Sequence, residues 1–341
     1  MNRPRLVAVL SVFVATMPFG CPPYRDTRVP NDITRQTDPD TRNDYLLYVP
    51  SSYDRDRQWP LIVLCHGTVP WDTALRQMLD WVKLAEERGF IVIAPELTGT
   101  SAFPAPPADE QIARQADDEE RILSAVRHVR GAYSISPDRV FLTGWSAGSF
   151  AILYTGLRNP DVFRAITVQQ GNFDPVLLGD VADRIDPYQA VSVIAGSADF
   201  LTGADAQRCV GWLEAHRAFV TELRLPGGHR GHPVTAVSFF ERVLREFPWL
   251  HVRAFGVEGG DALAVRFKTR GSFEPVSYRW QFGDGEESPV AEPVHVFPSP
   301  GTYRVTLTAG IRRGKTIERS IDLDVPQPQA LAAERTTWDD P

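Results

Sequence analysis

The sequence predicts two folded parts: an α/β domain built on a doubly wound, mostly parallel sheet, and behind it a small all-β sandwich. Two observations predict the first part. Continuous apolar runs of strand length, such as Leu61–Leu64, Val140–Leu142 and Val191–Ala195, alternate with stretches of helical period. Runs that are apolar at every position belong in a sheet covered on both faces. A third observation predicts the second part. After Leu250 the helical period disappears, and short alternating runs follow, separated by turn signals such as Gly283-Asp284-Gly285 and Pro300-Gly301.

Length and composition bound these parts. The chain has 341 residues, too many for one small domain, and a net charge of −7 from 36 basic and 43 acidic side chains. The charge is spread out and forms no basic stripe, which argues against nucleic acid as a partner. Residues 1–21 read as a targeting segment. Arg3 and Arg5 precede an apolar run, Leu6 to Met17, too short to span a bilayer. Cys21 follows Gly20, and this resembles a bacterial lipoprotein signal whose cysteine would be lipidated, although Pro18 and Phe19 depart from that pattern. Cys21 is then either a membrane anchor or an ordinary residue beside an export signal. Localisation is expected to be outside the cytoplasm: secreted, periplasmic or anchored at the cell envelope. Cys65 and Cys209 are expected to be two free thiols.

The segments are expected in this order. Residues 22–40 are polar, proline-containing and without period, as in a linker. The α/β part covers 41–250. Asp44–Pro50 and Pro60–Cys65 read as strands, the latter running into His66-Gly67-Thr68. Thr73–Arg88 places Leu75, Leu79 and Val82 at helical spacing, and Gly89 stops it. Phe90–Pro95 is a strand, 96–107 a loop that could shape a pocket mouth, and Asp109–Gly131 a long helix. The cluster Asp117-Asp118-Glu119-Glu120 reads as a solvated face; it has no histidine at ligand spacing, so no metal is expected. Further strands are expected at Arg164–Gln169, Val191–Gly196 and Val220–Leu225, with helices at Asp205–Phe219 and Thr235–Phe247. The sandwich occupies 251–326, with Trp280 and Phe282 on its inner face, and a Pro-, Gln- and Ala-rich tail at 327–341 is expected to be disordered.

Chemistry concentrates on Arg139–Phe150, RVFLTGWSAGSF. A strand leads into Gly144-Trp145-Ser146-Ala147-Gly148, and small or apolar residues follow. In G-x-S-x-G the serine sits on a tight strand-to-helix turn, and glycines before and after it let strand and helix approach. The N–H of Ala147 then lies at a helix N-terminus, suited to stabilise a developing oxyanion. Downstream, Asp199 and His229 each follow a strand, where open α/β sheets place their chemistry. The order serine, acid, histidine is that of the α/β-hydrolase triad. Asp199 could instead cap a helix, leaving Asp183 or Asp205 as the acid, although neither directly follows a strand. His232 competes with His229.

Two resemblances follow. Residues 44–248 resemble the α/β-hydrolase superfamily, in particular secreted esterases grouped with polyhydroxybutyrate depolymerases and feruloyl esterases. YLLYVPSSYD (45–54), LIVLCHG (61–67), YSISPDRVFLTGWSAG (133–148) and LPGGH (225–229) carry it. The resemblance implies a catalytic triad of Ser146, Asp199 and His229. It also implies an oxyanion hole from the N–H groups of Ala147 and Thr68, with His66 as a supporting loop residue. One departure is Ser149, where a second glycine is common. The segment 251–325 resembles the PKD domain, an immunoglobulin-like sandwich, through WQFGDG (280–285) and HVF (295–297) leading to PGTY (300–303). Such modules serve as spacers or as surface adhesins.

The expected activity is hydrolysis of carboxylic esters, including polymeric ones, with no cofactor. Two alternatives stand beside it. One is a serine peptidase of the prolyl-oligopeptidase type, which the lack of a propeller-sized N-terminal domain disfavours. The other is a non-enzymatic surface-binding protein on a hydrolase scaffold.

Overall fold

A computed structural model describes residues 30–100, 106–182, 185–257, 259–311 and 314–327. The targeting segment with Cys21, residues 22–29 of the expected linker, residues 101–105 of the 96–107 loop, Asp183 and the tail beyond 327 lie outside the described residues.

The first part runs β1 (Thr34–Thr37), β2 (Asp44–Tyr48), β3 (Trp59–Cys65), α1 (Ala74–Arg88), β4 (Ile91–Pro95), α2 (Ala108–Ala132), β5 (Ile135–Trp145), α3 (Gly148–Arg158), β6 (Ala165–Gln169), β7 (Ala190–Gly196), α4 (Gly203–Ala215), β8 (Phe219–Leu225) and α5 (Pro233–Glu246). These strands form one sheet in the order β1-β2-β4-β3-β5-β6-β7-β8. β3 to β8 are parallel, and β1 and β2 pair antiparallel at one edge. Alternate residues of each strand enter different cores. Val63, Ile93, Leu142 and Val193 pack with Ile122, Ile152 and Leu213 of α2, α3 and α4. Ile62, Val92, Phe141 and Ala190 pack with Met78, Trp81, Phe239 and Phe240 of α1 and α5. Burial on both faces is why these strands read as unbroken apolar runs. Helix α1 is capped as its sequence suggests: the Thr73 side chain accepts the N–H of Arg76, and Gly89 closes the helix at φ 74°.

Four assignments need correction. Residues 34–37, expected in a linker, form β1, with Thr34 opposite Leu47 and Thr37 opposite Asp44. An edge strand held by backbone pairing and by polar contacts, such as those of Arg35 with Asp44 and Glu96, needs no apolar alternation, so its pattern TRQT is silent. Phe219 starts β8 rather than ending a helix, because the chain reverses at Arg217, whose φ is +61°. Asp118 belongs to no solvated face. It is buried and accepts the N–H groups of Thr98 at 2.7 Å and Gly99 at 2.8 Å. Burial raises its pKa, and those hydrogen bonds work against the rise. Its neighbours Asp117 and Glu120 are paired with Arg121 and Arg127 on the outside. Leu250, finally, is the first residue of the sandwich and packs in its core, so the boundary falls between Trp249 and Leu250.

The second part runs β9 (Leu250–Gly256), β10 (Ala264–Gly271), β11 (Ser277–Gln281), β12 (Glu287–Ser288), β13 (Val294–Val296), β14 (Gly301–Ile311) and β15 (Lys315–Val325). Two sheets, β13-β10-β9 and β12-β11-β14-β15, enclose Phe267, Trp280, Phe282, Phe297 and Leu307. The sandwich docks at the end of the large sheet where its parallel strands begin. Arg319 grips the Asp186 carboxylate with both terminal nitrogens just before β7. Arg270 pairs with Asp138 at 2.7 Å, and the Tyr188 hydroxyl donates to the carbonyl of Glu318 at 2.5 Å. Ser146, Asp199 and His229 all follow the far ends of strands, so the sandwich sits away from them.

Candidate active site

The turn between β5 and α3 forces Ser146 to φ +55°, a left-handed conformation costly for a residue with a Cβ. Its backbone is held there on both sides. The Ser146 N–H donates to Gln169 at 3.2 Å, and its carbonyl accepts the N–H and hydroxyl of Ser149 at 3.0 and 2.7 Å. The flanking glycines are required by β3. A Cβ at Gly144 would lie 2.3 Å from the Cys65 carbonyl oxygen, and one at Gly148 would lie 2.2 Å from the same atom. Ser149 does not crowd the turn: its hydroxyl also lies 2.6 Å from the Asn172 carbonyl, so its one proton is shared between two acceptors, and the space it needs is left by Gly171.

His229 links this serine to an acid. Its Nε2 lies 3.0 Å from Ser146 Oγ, and its Nδ1 lies 3.0 Å from Asp199 Oδ2. A carboxylate only accepts, so Nδ1 carries the proton and Nε2 is left to accept from the serine hydroxyl. Burial of Asp199 alone would raise its pKa. Hydrogen bonds from His229, from the Thr202 hydroxyl and N–H and from the Leu201 N–H outweigh that and hold it below the ordinary carboxylate range. Asp199 therefore stays ionised. The same residue is also bonded to the start of α4, since its Oδ1 accepts from Leu201 at 2.9 Å and Thr202 at 3.2 Å. Asp199 thus fixes the turn that leads into α4, while the N-cap of that helix is Thr202.

The rival residues lie elsewhere. His232 stands at the N-terminus of α5, where its Nε2 is 2.9 Å from the Gln170 amide nitrogen and its N–H donates to Gln169 at 2.6 Å. Burial and then the charge of Arg230 lower its pKa, which keeps it neutral. Asp205 accepts from the Phe173 N–H and pairs with Arg208. Cys65 and Cys209 are buried free thiols, whose pKa burial raises.

Thr68 and Ala147 stand beside the serine. Ala147 follows it at the N-terminus of α3, and a Cβ on Gly67 would come within 3.3 Å of Ser146 Cβ. Neither Thr68 nor Ala147 donates its N–H to another backbone group among the described residues. Both amides are therefore free to bind an oxygen near the serine.

Sequence reasoning passed over several supporting residues. Gln169 and Gln170, at the end of β6, receive the N–H groups of His232 and Arg230 and so tie down the histidine loop. Trp145 lies against the His229 ring, with centroids 4.9 Å apart. Asp72 accepts the N–H of Gly67 at 2.6 Å. Polar residues at strand ends and in loops carry no period; Trp145 lies inside the G-x-S-x-G motif and Asp72 close after His66-Gly67, but Gln169 and Gln170 stand far from any motif in sequence. A cavity of about 240 Å³ beside His229 and Trp145 is lined by Arg76, Gln77, Asp80 and Arg230 among others.

Comparison with known proteins fits this architecture. Residues 77–197 match the prolyl oligopeptidase family, and residues 257–324 match the PKD domain. The first part has an α/β-hydrolase fold, and the second matches the PKD domain. A ferulic acid esterase from Anaeromyces mucronatus superposes with a TM-score of 0.50 at 15% identity, over 64% of this chain and 90% of that one. A putative dipeptidyl aminopeptidase IV from Bacteroides ovatus gives a TM-score of 0.50 at 16% identity, over 65% of this chain and 36% of that one. In sequence, 129 residues of the chain are 26% identical to dipeptidyl-peptidase 5 of Porphyromonas gingivalis. A stretch of 52 residues is 44% identical to collagenase ColA of Bacillus cereus. The aligned stretches span 19% and 5% of those two relatives and 37% and 15% of this chain.

Proposed function

We propose that this α/β-hydrolase is an exported serine esterase that hydrolyses carboxylic esters through an acyl-enzyme. One observation carries the reading: the His229 ring stands between Ser146 and Asp199, 3.0 Å from each. In the first half-reaction Ser146 Oγ bonds to the ester carbonyl carbon, and the hydroxyl proton passes to His229 Nε2. The carbonyl oxygen becomes an oxyanion facing the N–H groups of Ala147 and Thr68, each donor lowering the barrier by about 3 kcal/mol. The bond to the alcohol then breaks, and the alcohol leaves with the proton from Nε2. Water repeats the sequence on the acyl-enzyme and releases the acid. Throughout, Asp199 stays ionised and holds the imidazole in the required tautomer.

Export rests on the charged and apolar pattern of residues 1–21, with lipidation of Cys21 as one form of it. The PKD domain lies at the opposite end of the sheet from Ser146. That position suits a spacer, or an adhesin that holds the active site away from the surface it grips.

A second reading, a serine peptidase, is favoured by the match to the prolyl oligopeptidase family at residues 77–197. The ester reading is preferred because an ester carbonyl is less resonance-stabilised than an amide carbonyl, so the same nucleophile and base meet a lower barrier. A panel of p-nitrophenyl, aryl and polysaccharide esters beside aminoacyl and dipeptidyl anilides decides between them, with Ser146→Ala as control. Turnover of esters that Ser146→Ala abolishes is expected. Anilide turnover without ester turnover would establish the peptidase, and no turnover of either would leave a binding scaffold.

A further inference from the structure

The proposed oxyanion donor Thr68 lies in a loop, and loops are poor places to hold a group to within a fraction of an ångström. The structure shows how this one is fixed. The N–H of Thr68 and the carbonyl of Gly67 are two ends of one planar peptide unit, so orienting either end orients the other. His66 takes hold of the carbonyl: its Nδ1 lies 2.9 Å from Gly67 O. The tautomer follows from the other nitrogen, Nε2, which lies 3.0 Å from the N–H of Leu97. A backbone N–H only donates, so Nε2 accepts and the proton is on Nδ1.

Asp72 secures the two neighbouring peptide units. Its Oδ2 accepts the N–H of Gly67 at 2.6 Å, on the unit before. Its own backbone N–H donates to the carbonyl of Thr68 at 2.9 Å, on the unit after. The carboxylate is in turn held by the Gln77 side-chain amide at 2.9 Å. Both His66 and Asp72 are almost fully buried, at 1% and 2% exposure, so water does not compete for these bonds. Three consecutive peptide units are thus pinned around a single amide that has no backbone acceptor of its own among the described residues.

We infer that Asp72, together with His66, is a positioning residue that aims the Thr68 N–H at the oxyanion through the Gly67–Thr68 peptide. The inference rests on the proposed esterase reading and adds residues to it. Asp72 lines the cavity beside His229, but its carboxylate is engaged by Gly67 and Gln77 and its role in this scheme runs through the peptide. Its loss lets the peptide rock, and the donor is then misplaced only where it matters, in the transition state. Hydrogen bonding of the Gly67 carbonyl also polarises the peptide unit and strengthens its N–H as a donor.

The test uses the full chain and compares Asp72→Ala, Asp72→Asn, His66→Gln and His66→Asn with the parent on one soluble ester. An asparagine at 72 presents an oxygen to the Gly67 N–H, and an asparagine at 66 presents its amide nitrogen near the place of Nδ1. Each variant is also titrated with a trifluoromethyl ketone, whose serine adduct carries the oxyanion. For Asp72→Ala and His66→Gln, kcat is expected to fall about 10- to 100-fold, the scale of a misplaced group. KM should stay close to parental, and ketone affinity should weaken by the same factor as kcat. The two asparagine variants should recover most of the loss. A merely structural role would lower thermal stability and active fraction, and leave ketone affinity of the active fraction unchanged. If the alanine variant does not fold, that result in His66→Gln overturns the inference as well. Inactivity of the parent on every ester would instead sink the esterase reading and this one with it.

Discussion

Two histidines lie three residues apart in the loop after β8, and replacing each tests the mechanism. His229→Ala removes both bonds of the bridge, the one to Ser146 Oγ and the one to Asp199 Oδ2, each 3.0 Å long. Among the described residues, the neighbouring His232 is not placed to take its role. His232 Nε2 is engaged with Gln170, its backbone N–H with Gln169, and the cap of α5 fixes where it stands. Loss of a triad member costs a factor of about 10⁴ or more in kcat, which is about 5–6 kcal/mol of transition-state stabilisation. His232→Ala loses one side-chain hydrogen bond, worth about 1 kcal/mol to the order of the loop. Its kcat should fall by less than about tenfold, since that energy is spread over loop placement. The assay is steady-state turnover of one soluble ester by both variants and the parent, with active sites counted by a fluorophosphonate. A larger loss in His232→Ala would refute the assignment of the base and require the loop to rearrange during turnover. Equal small losses would refute the bridge as the catalytic machinery.

Two further outcomes follow from the docking of the PKD domain. Truncation after Trp249 should leave kcat/KM on soluble esters unchanged and lower Tm by a few degrees, because it removes Arg319 from Asp186 and Glu318 from Tyr188 but nothing near Ser146; loss of all soluble activity would mean the sandwich shapes the site. His251, half-buried at this interface, has its pKa lowered to about 4, first by desolvation and against the pull of Asp186. The unfolded chain binds that proton near pH 6.5 and the folded one only near 4, so this contribution is complete above about 6.5 and is lost as pH falls toward 4. Urea unfolding of the parent and of His251→Gln across that range checks it; parallel curves would refute the assignment.

Much of the architecture is written in local pattern. Runs such as Val191–Ala195 are apolar at each position but Ser192 because α4 and α5 cover both faces of their sheet, and the spacing of Leu75, Leu79 and Val82 marks α1 even though its exposed face includes Leu75 and Leu79. Gly144 and Gly148 are legible because a contact 2.2 to 2.3 Å long would otherwise form with Cys65. The sequence also determined the chain order of Ser146, Asp199 and His229, and that each follows a strand. Whether their side chains meet was decided only in three dimensions, by parallel strands β5, β7 and β8 ending on one edge and by Gln169 and Gln170 pulling the histidine loop across it. Thr34–Thr37 became a strand only by pairing with β2, and Asp118, inside a run of four acids, was buried by backbone donors from a loop 19 or 20 residues before it. Asp72 has the same origin. A side chain whose role is to satisfy one distant backbone amide leaves no periodicity and no motif, so its place becomes visible only when the chain has closed around it.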